Sequence, residues 1–261
     1  MSFRPNKVIP HIVSWLDSYA GNANSEGFVI GVSGGIDSAV TATLCLMTGR
    51  PVYIVDMPIH QASTELSRSL ELRESLSKRF DNTNIKSISL TQTYEAIKSV
   101  LSLERNSDLA LANTRARLRM TALYALAAER NALVVGTGNK IEDFGVGFFT
   151  KYGDGGVDLS PIADLVKSEV FALGHALGVP VSILEAAPTD GLWGDERNDE
   201  DQIGASYPEL ERAMAFISNS GNPSTLEGRP LEVYNIYTKL HAQNRHKMLP
   251  IPVCTIPDDL K

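Results

Sequence analysis

The sequence predicts an α/β protein with a doubly wound parallel sheet flanked by helices, which is a Rossmann-like architecture. Short apolar runs typical of buried strands, at residues 27–30, 51–57 and 132–137, alternate with longer segments of helical spacing. Such alternation favours parallel pairing through right-handed crossovers. The 261 residues suit one α/β domain, and a hydrophobic content of 43% is enough for a sizeable core. We therefore expect a single domain over residues 1–261.

Helical periodicity covers most of the chain outside these runs. It predicts helices over residues 7–20, 39–47, 64–80, 93–101, 107–131, 167–177, 208–217 and 228–246. Residues 85–90 alternate like a strand. In the helix over residues 64–80 we expect Leu66, Leu70, Leu76 and Phe80 to face inward.

Two irregular segments are candidates for function. Residues 145–158 are rich in glycine and aromatic residues and have no clean period. A long irregular stretch of this kind inside a compact domain is more often functional than not. Residues 187–206 are polar, loop-like and dense in Asp and Glu, which suggests a mobile lid.

The overall composition limits the partners of the protein. The chain has 31 acidic and 24 basic side chains, and its net charge of −7 argues against a general nucleic-acid surface. It contains no apolar run of about 18 residues and no recognisable signal sequence. We therefore expect a cytoplasmic protein without a membrane partner. Cys45 and Cys254 fit free thiols of a reducing compartment.

The chain is organised around the turn between the first strand and the helix that follows. This turn consists of Gly31, Val32, Ser33, Gly34, Gly35, Ile36, Asp37 and Ser38. Glycines without Cβ atoms let backbone N–H groups close on an anion, and the helix start adds the positive end of its dipole. Asp37 suits phosphate only if a divalent cation such as Mg²⁺ lies between them. The turn is neither a Walker A loop nor G-x-G-x-x-G, and a plain turn of small residues is the structural alternative.

The motif Ser-Gly-Gly-x-Asp-Ser resembles the pyrophosphate loop of the ATP pyrophosphatase superfamily. Enzymes of that superfamily split ATP between its α and β phosphates and adenylate a carboxyl or carbonyl group. Further stretches resemble NAD synthetase, and the likeness runs from about residue 7 to residue 255. They comprise residues 113–117, 136–142, 147–155 and 188–189, with His246 and Lys247. The run Phe-Phe-Thr-Lys-Tyr-Gly-Asp-Gly over residues 148–155 is the most specific and selects the family.

This resemblance implies an adenine nucleotide alpha hydrolase-like fold and a defined reaction. Nicotinic acid adenine dinucleotide (deamido-NAD) is amidated to NAD with ATP as co-substrate and Mg²⁺ as cofactor. The nicotinate carboxylate attacks the α-phosphorus and releases pyrophosphate, and ammonia then attacks the mixed anhydride to give NAD and AMP. We expect positioning and charge stabilisation to dominate such catalysis.

The resemblance also assigns ATP and metal contacts. It implies that ATP binds the turn Gly31–Ser38 together with Thr137, Lys167 and Thr189, and that Mg²⁺ binds Asp37 and Glu142. Taken from the residues alone, Glu142 can be a helix-start charge, Thr137 a helix cap and Lys167 an ordinary helix-start lysine.

The implied contacts with the dinucleotide are Arg117, Lys151, Asp158, His246 and Lys247. The catalytic groups are Asp37, Lys167 and Asp154, and Asp154 is a candidate base for ammonium. For Arg117 and its arginine neighbours, a solvated helix face is the structural alternative.

The chain departs from the family pattern in two places. Gly138-Asn139 stands where many members carry Asp-His or Ser-Asn, and the segment from Thr189 to Asp195 is a variant that contains a Trp.

The nitrogen donor and the assembly also follow from the resemblance. Only 26 residues precede the first strand, far fewer than the glutaminase domain of some members needs. We therefore expect direct use of free ammonia, whether or not a separate glutaminase supplies it. The family resemblance implies a homodimer whose substrate site straddles the interface, with the helices over residues 7–20 and 107–131 as candidates for that seam.

Two other functions remain open from the sequence. A tRNA-modifying ATP pyrophosphatase predicts a basic surface and an added RNA-binding domain, and neither is visible in the sequence. A nucleotide sensor without chemistry predicts loss of Asp37, Glu142 or Lys167, and all three are present.

Overall fold

The computed structural model describes residues 3–102, 108–189 and 198–261. These residues contain a four-stranded parallel sheet with strand order β3-β2-β1-β4. The strands are β1 (Gly27–Gly31), β2 (Val52–Asp56), β3 (Thr83–Ser87) and β4 (Ala132–Val134). The chain runs outward from β1 in both directions, so β1 and β4 flank the switch point of a doubly wound sheet. The predicted fold class is confirmed.

Helices occupy both faces of the sheet, because the crossovers run in opposite directions across it and right-handed crossovers of opposite direction lie on opposite faces. In chain order they are α1 (Pro5–Asn22), α2 (Ile36–Leu46), α3 (Ser63–Arg79), α4 (Thr91–Leu101), α5 (Asp108–Glu129), a π-helix (Ile141–Val146), α6 (Lys167–Leu177), α7 (Val181–Leu184), α8 (Asp199–Ile203), α9 (Tyr207–Ser218) and α10 (Gly228–Met248), with short 3₁₀ turns at Pro223–Thr225 and Asp258–Leu260. All eight predicted helices are present, with ends shifted by three residues or fewer.

Each face of the sheet carries its own hydrophobic core. Phe28 and Ile30 of β1 pack with apolar side chains of α1, α2, α3 and α6 on one face. Val29 of β1 and Val55 of β2 pack with α4 and α5 on the other. This division follows the strand period of two, which sends successive side chains to opposite faces.

A third hydrophobic cluster, which we call the helical layer, is formed by the π-helix with α8, α9 and α10. Ile141 and Val146 of the π-helix pack there with Leu210 of α9 and Tyr237 of α10. The layer therefore anchors the segment that follows β4, where several predicted site residues lie.

The prediction that four apolar residues of α3 face inward is wrong for two of them. Leu76 is buried, but Leu66 and Leu70 are exposed, and Phe80 is half-buried. Leu72 and Ser69 are buried instead. The reason is that the first half of α3 packs against the glycine turn through small and polar atoms rather than against the core.

Three other segments differ from expectation. The strand predicted at 85–90 lies at Thr83–Ser87, at the edge of the sheet, where one paired side leaves register weakly specified. The strand predicted at 132–137 ends its ladder at Val134, and Val135 bridges to Leu159. The predicted loop 187–206 contains α8, and residues 190–195 of its variant motif lie outside the described residues.

Two expectations from composition can be compared with the structure. In the described ranges, none of the helices combines the length and apolar character needed to traverse a bilayer. Both cysteines are free, with Cys45 buried and Cys254 exposed. Burial raises the pKa of the Cys45 thiol, so this thiol is unreactive.

Candidate active site

The glycine turn between β1 and α2 requires glycine at position 34 for two reasons. Gly34 has a φ of +84°, a region that favours residues without a Cβ atom. A Cβ there would also lie 2.9 Å from the carbonyl oxygen of Glu65 and from the amide nitrogen of Ser69 on α3. The turn is held by its own hydroxyls: the Gly35 amide donates to Ser33 Oγ at 3.2 Å, and Ser38 Oγ donates to the Gly35 carbonyl at 3.0 Å.

A cavity of about 270 Å³ opens where β1, β2 and β4 end at their carboxyl edge. Ligands of open α/β sheets bind at this edge, beside the switch point. All residues predicted to bind ATP line the cavity: the whole turn Gly31–Ser38 together with Thr137, Lys167 and Thr189. Glu142 and Asp154 line it as well. Residues separated by more than 150 positions in the sequence thus share one cavity.

Asp37, Glu142 and Lys167 form the charged centre of the cavity. Lys167 Nζ lies 2.6 Å from Asp37 Oδ2 and 3.0 Å from Glu142 Oε1, and its side chain is only 4% exposed. Burial alone lowers the pKa of Lys167, but the two carboxylates outweigh it and hold this pKa above its usual range. Burial likewise raises the pKa of Glu142, but Lys167 and a tyrosine hydroxyl reverse the shift and lower it. The lysine is therefore charged and held between two carboxylates.

The departure at Gly138-Asn139 has a structural reason. Asn139 is fully buried; its Nδ2 donates to Asp37 Oδ1 at 3.2 Å, and its Oδ1 accepts the Ile141 and Glu142 amides at 3.1 Å each. A Cβ on Gly138 would lie 2.0 Å from Asp143 Oδ2. Asn139 thus connects the two predicted metal ligands, while Gly138 makes room for a neighbouring carboxyl.

Tyr207 joins the helical layer to this charged centre. Its hydroxyl donates to Glu142 Oε1 at 2.5 Å and lies 3.3 Å from Asp199 Oδ2. Lys167 Nζ lies over the face of the Tyr207 ring, 4.7 Å from the ring centroid. Burial first, and then the nearby Glu142 and Asp199 carboxylates, raise the pKa of Tyr207. The phenol is therefore protonated and acts as a donor.

Two further carboxyls line the cavity close to this centre. Burial, reinforced by the charges of Glu142, Asp154 and Asp37, raises the pKa of Asp143 well above its usual range. Asp154 keeps contact with solvent, yet surrounding protein atoms displace enough water to raise its pKa to about 6. The Thr150 amide, which donates to Asp154 Oδ1 at 2.9 Å, opposes that rise.

Four of the residues predicted to bind the second substrate lie outside the cavity lining, and hydrogen bonds join three of them. Arg117 donates to the Lys151 carbonyl at 3.3 Å, and Lys151 Nζ donates to the His246 carbonyl at 3.1 Å. Lys247 Nζ donates to the carbonyls of Gly147 and Phe149. Removal from water lowers the pKa of Lys247, although Asp154 and Asp143 act against this. We call Arg117, Lys151, His246 and Lys247 the outer basic group.

The fifth of these residues, Asp158, lies elsewhere. Its carboxylate accepts the Tyr124 hydroxyl at 2.9 Å and the Val134 amide at 2.8 Å. These bonds tie the end of the irregular stretch over residues 145–158 to α5 and β4.

The donor set near the glycine turn fits a divalent cation that is shared with a phosphate ligand. Asp37 and Glu142 bring oxygen atoms from two separate segments to within 3.0 Å of one Nζ atom. Oxygen ligands from one or two carboxylates, completed by phosphates and water, are what Mg²⁺ prefers. Over the described part of the chain no group of three or more His, Cys, Asp or Glu residues is placed to hold a metal by itself.

Comparisons with known proteins identify the family of the chain. A family model described as NAD synthase matches residues 8–250. The chain belongs to the NAD synthase family. Among its relatives is the NH(3)-dependent NAD(+) synthetase of Archaeoglobus fulgidus, 36% identical over 256 residues that cover 97% of this chain and 98% of the relative. The predicted family is therefore confirmed.

Solved structures of this family share its fold. The structure of NMN synthetase from Francisella tularensis matches with a TM-score of 0.83 and 36% identity, over 98% of this chain and 100% of that one. NH3-dependent NAD synthetase from Campylobacter jejuni matches with a TM-score of 0.79 and 25% identity, over 97% and 100% of the two chains.

Sequence reasoning missed several polar residues of the site. Asn139, Asp143 and Tyr207 are not among the predicted site residues. Asn139 and Tyr207 contact predicted residues in space, and Asp143 is next to one in the sequence. Asp143 follows Glu142 directly, and that adjacency was the available signal. Nothing in the sequence around Tyr207 indicates that its hydroxyl reaches Glu142, 65 residues earlier.

Proposed function

We propose that this NAD synthase family member amidates a nicotinate nucleotide, deamido-NAD in the first instance, to the corresponding nicotinamide nucleotide. ATP is the co-substrate, and AMP and pyrophosphate are the products. One observation carries the proposal: the glycine turn, Asp37, Glu142 and Lys167 meet in the cavity that also receives Phe148 and Asp154 of the family-specific stretch. This supports the proposal, because the residues predicted to bind ATP and part of the family-specific stretch line one cavity.

The reaction divides into two steps that balance. A carboxylate oxygen of the nicotinate forms a bond to the α-phosphorus, the bond to the bridging oxygen breaks, and its electron pair leaves with pyrophosphate. Ammonia then adds to the acyl carbon, AMP leaves, and one proton is released. Asp154, with a pKa of about 6, is ionised at neutral pH and lies in the cavity as a candidate acceptor for that proton.

The protein contributes position and charge. Backbone N–H groups of the turn and of the α2 start hold phosphate oxygens. Lys167 supplies a buried positive charge toward the leaving pyrophosphate, and Tyr207 and Asn139 fix the two carboxylates that surround it. Bound Mg²⁺ at Asp37 and Glu142 would neutralise phosphate charge. The outer basic group suits the pyrophosphate of the dinucleotide.

The decisive experiment measures pyrophosphate release by the purified chain with ATP, Mg²⁺ and ammonium. We expect release only when the nicotinate nucleotide is added. Release of pyrophosphate at the same rate without it would contradict the proposal.

A second candidate substrate is a nicotinate mononucleotide. The observation that favours it is the likeness to the NMN synthetase from Francisella tularensis, with 36% identity over nearly the full length of both chains. The ratio of kcat/KM for deamido-NAD to that for nicotinic acid mononucleotide decides between the two. A ratio above one supports the dinucleotide, and a ratio below one supports the mononucleotide.

We propose that free ammonia is the nitrogen donor and that the single predicted domain suffices. The relatives named NH(3)-dependent support this, because their length is matched almost fully. Initial rates with ammonium and with glutamine as sole donors test it. Comparable rates with glutamine would defeat it.

We also propose a homodimer with a substrate site that straddles the interface. Trp15 and Tyr19 of α1 are each 41% exposed and in ring contact, and Leu109 at the start of α5 is 62% exposed, so both helices of the predicted seam carry exposed apolar side chains. Mass measurement across a range of protein concentrations tests this. A fully active monomer at all concentrations would refute it.

A further inference from the structure

The first half of α3 brings two polar side chains against the glycine turn. The Cβ of Arg68 lies 3.1 Å, and the amide of Ser69 2.9 Å, from the point where Gly34 would carry a Cβ. Both residues line the cavity. The absence of a side chain at Gly34 is thus what allows α3 to approach the turn so closely.

These two side chains carry buried polar atoms whose partners are not supplied by the described residues. Arg68 Nε and Ser69 Oγ are both shielded from solvent, and neither has a hydrogen-bond partner there. Ser69 is 3% exposed. Buried polar groups without partners cost free energy and are rare, so two adjacent examples beside an anion-binding turn need an explanation.

The other cations that line the cavity are already engaged. Arg119 donates to the Met57 carbonyl at 3.0 Å and to Gln61 Oε1 at 2.9 Å. Lys167 is held between Asp37 and Glu142. Within the described ranges, Arg68 is the cavity cation for which no hydrogen bond or ion pair is found.

The position of Arg68 also indicates which part of a triphosphate it faces. Glu142 and Asp154 approach the turn from segments that follow β4, where the second substrate is proposed to bind. α3 follows β2, and β2 and β4 flank β1 on opposite sides, so α3 reaches the turn from the side of β2. A triphosphate whose α-phosphorus faces the second substrate therefore extends its β and γ phosphates toward α3.

We infer that Arg68 and Ser69 bind the outer phosphates of ATP and the pyrophosphate product. The guanidinium fork matches two phosphate oxygens, and the serine hydroxyl donates a third hydrogen bond. Ligand binding thus satisfies both buried groups. This inference rests on the proposed function only in taking ATP as the ligand, and it adds a binding group from α3 to the one that Lys167 supplies.

The test measures binding directly, without the nicotinate substrate. Inorganic pyrophosphate with Mg²⁺ is titrated calorimetrically into wild-type protein, Arg68→Gln, Arg68→Lys and Ser69→Ala. The matched control is Lys78→Gln, which removes the same charge from an exposed position of the same helix.

We expect Arg68→Gln to raise the Kd about 10- to 100-fold, and Ser69→Ala to raise it about 3-fold. Arg68→Lys should fall between wild type and Arg68→Gln, because an ammonium keeps charge without the fork. Lys78→Gln should leave the Kd unchanged.

Steady-state kinetics gives a second readout. Arg68→Gln should raise the KM for ATP by a similar factor and leave the KM of the nicotinate nucleotide unchanged. The melting temperature should not fall, because Arg68 makes no internal bond among the described residues to lose. If Arg68→Gln does unfold, the Arg68→Lys and Ser69→Ala variants still decide the question by their Kd values.

Wild-type Kd values for both Arg68 variants and for Ser69→Ala would overturn the inference. That result would not affect the proposed function, which depends on nicotinate-dependent release. Conversely, Arg68-dependent pyrophosphate binding in a protein that amidates neither nucleotide would refute the proposed function and leave the inference standing.

Discussion

The two halves of the candidate site are built in different ways. The ATP half is made of backbone, buried charge and short polar contacts, and its lysine is 4% exposed between two carboxylates. The outer basic group consists of more accessible residues, and its Arg117, Lys151 and Lys247 donate to main-chain carbonyls. A buried, paired charge is fixed before the ligand arrives, whereas exposed cations can exchange a carbonyl for a phosphate. We therefore expect the half predicted to bind ATP to be preorganised and the outer half to rearrange when its ligand binds.

The largest effect is expected from a change in the ATP half. Asp37→Ala removes a predicted metal ligand and one of the two carboxylates around Lys167. We expect nicotinate-dependent pyrophosphate release to fall on the order of 10²–10³-fold or more. Circular dichroism should show a folded protein. The control is Asp164→Asn, which alters an exposed carboxylate that pairs with Lys140. Activity that survives in Asp37→Ala would exclude its metal role.

A change in the outer half should act on one substrate only. Arg117→Ala removes an exposed guanidinium that now donates to the Lys151 carbonyl. We expect the KM of the nicotinate nucleotide to rise about 10-fold, since charge-assisted hydrogen bonds to phosphate are lost. The KM of ATP should not change. Arg130→Ala, at the far end of the same helical segment, is the control. Equal changes in both KM values would contradict the division into halves.

A smaller effect is expected at the contact with the helical layer. Tyr207→Phe keeps the ring over Lys167 but loses the hydroxyl that fixes Glu142. We expect the Mg²⁺ concentration for half-maximal activity to rise about 3- to 10-fold. Thermal stabilisation by Mg²⁺ with a non-cleavable ATP analogue should weaken in parallel. Tyr237→Phe alters a buried tyrosine of the same layer and should leave both readouts unchanged. An unaltered metal dependence would show that the hydroxyl is only structural.

The smallest effect concerns pH and stability. The folded protein holds the Asp154 proton up to about pH 6, whereas the unfolded chain releases it near the ordinary value of 3.8. Between these values the native state binds more protons, so this residue makes the free energy of unfolding fall as pH rises. We therefore compare the free energy of unfolding of Asp154→Asn with that of wild type at two pH values. The difference should favour the variant more at pH 7 than at pH 4. Denaturant unfolding at both values measures it. A constant difference between the two proteins would contradict the raised pKa.

The sequence predicts the local structure of the turn better than it predicts which side chains of α3 are buried. The turn Gly31–Ser38 is recognisable because strand, glycines and helix are consecutive and each is a local signal. Leu66 and Leu70 of α3 were wrongly placed inward, because helical spacing shows that residues share a face but not what that face contacts. The same close packing of α3 on Gly34 that exposes these leucines also brings Arg68 and Ser69 into the cavity.

The sequence alone determined the α/β class, the order of the strands and long helices, the position of the glycine turn and, through the stretch over residues 148–155, the family. These properties depend on periodicity and on motifs of neighbouring residues, so they can be read along the chain. Only the tertiary structure decided that Asn139 connects Asp37 with Glu142, that Tyr207 reaches both Glu142 and Lys167, and that α3 presents Arg68 to the turn. Those contacts join residues that are distant in sequence, and their geometry arises from how helices pack on the sheet rather than from any local preference.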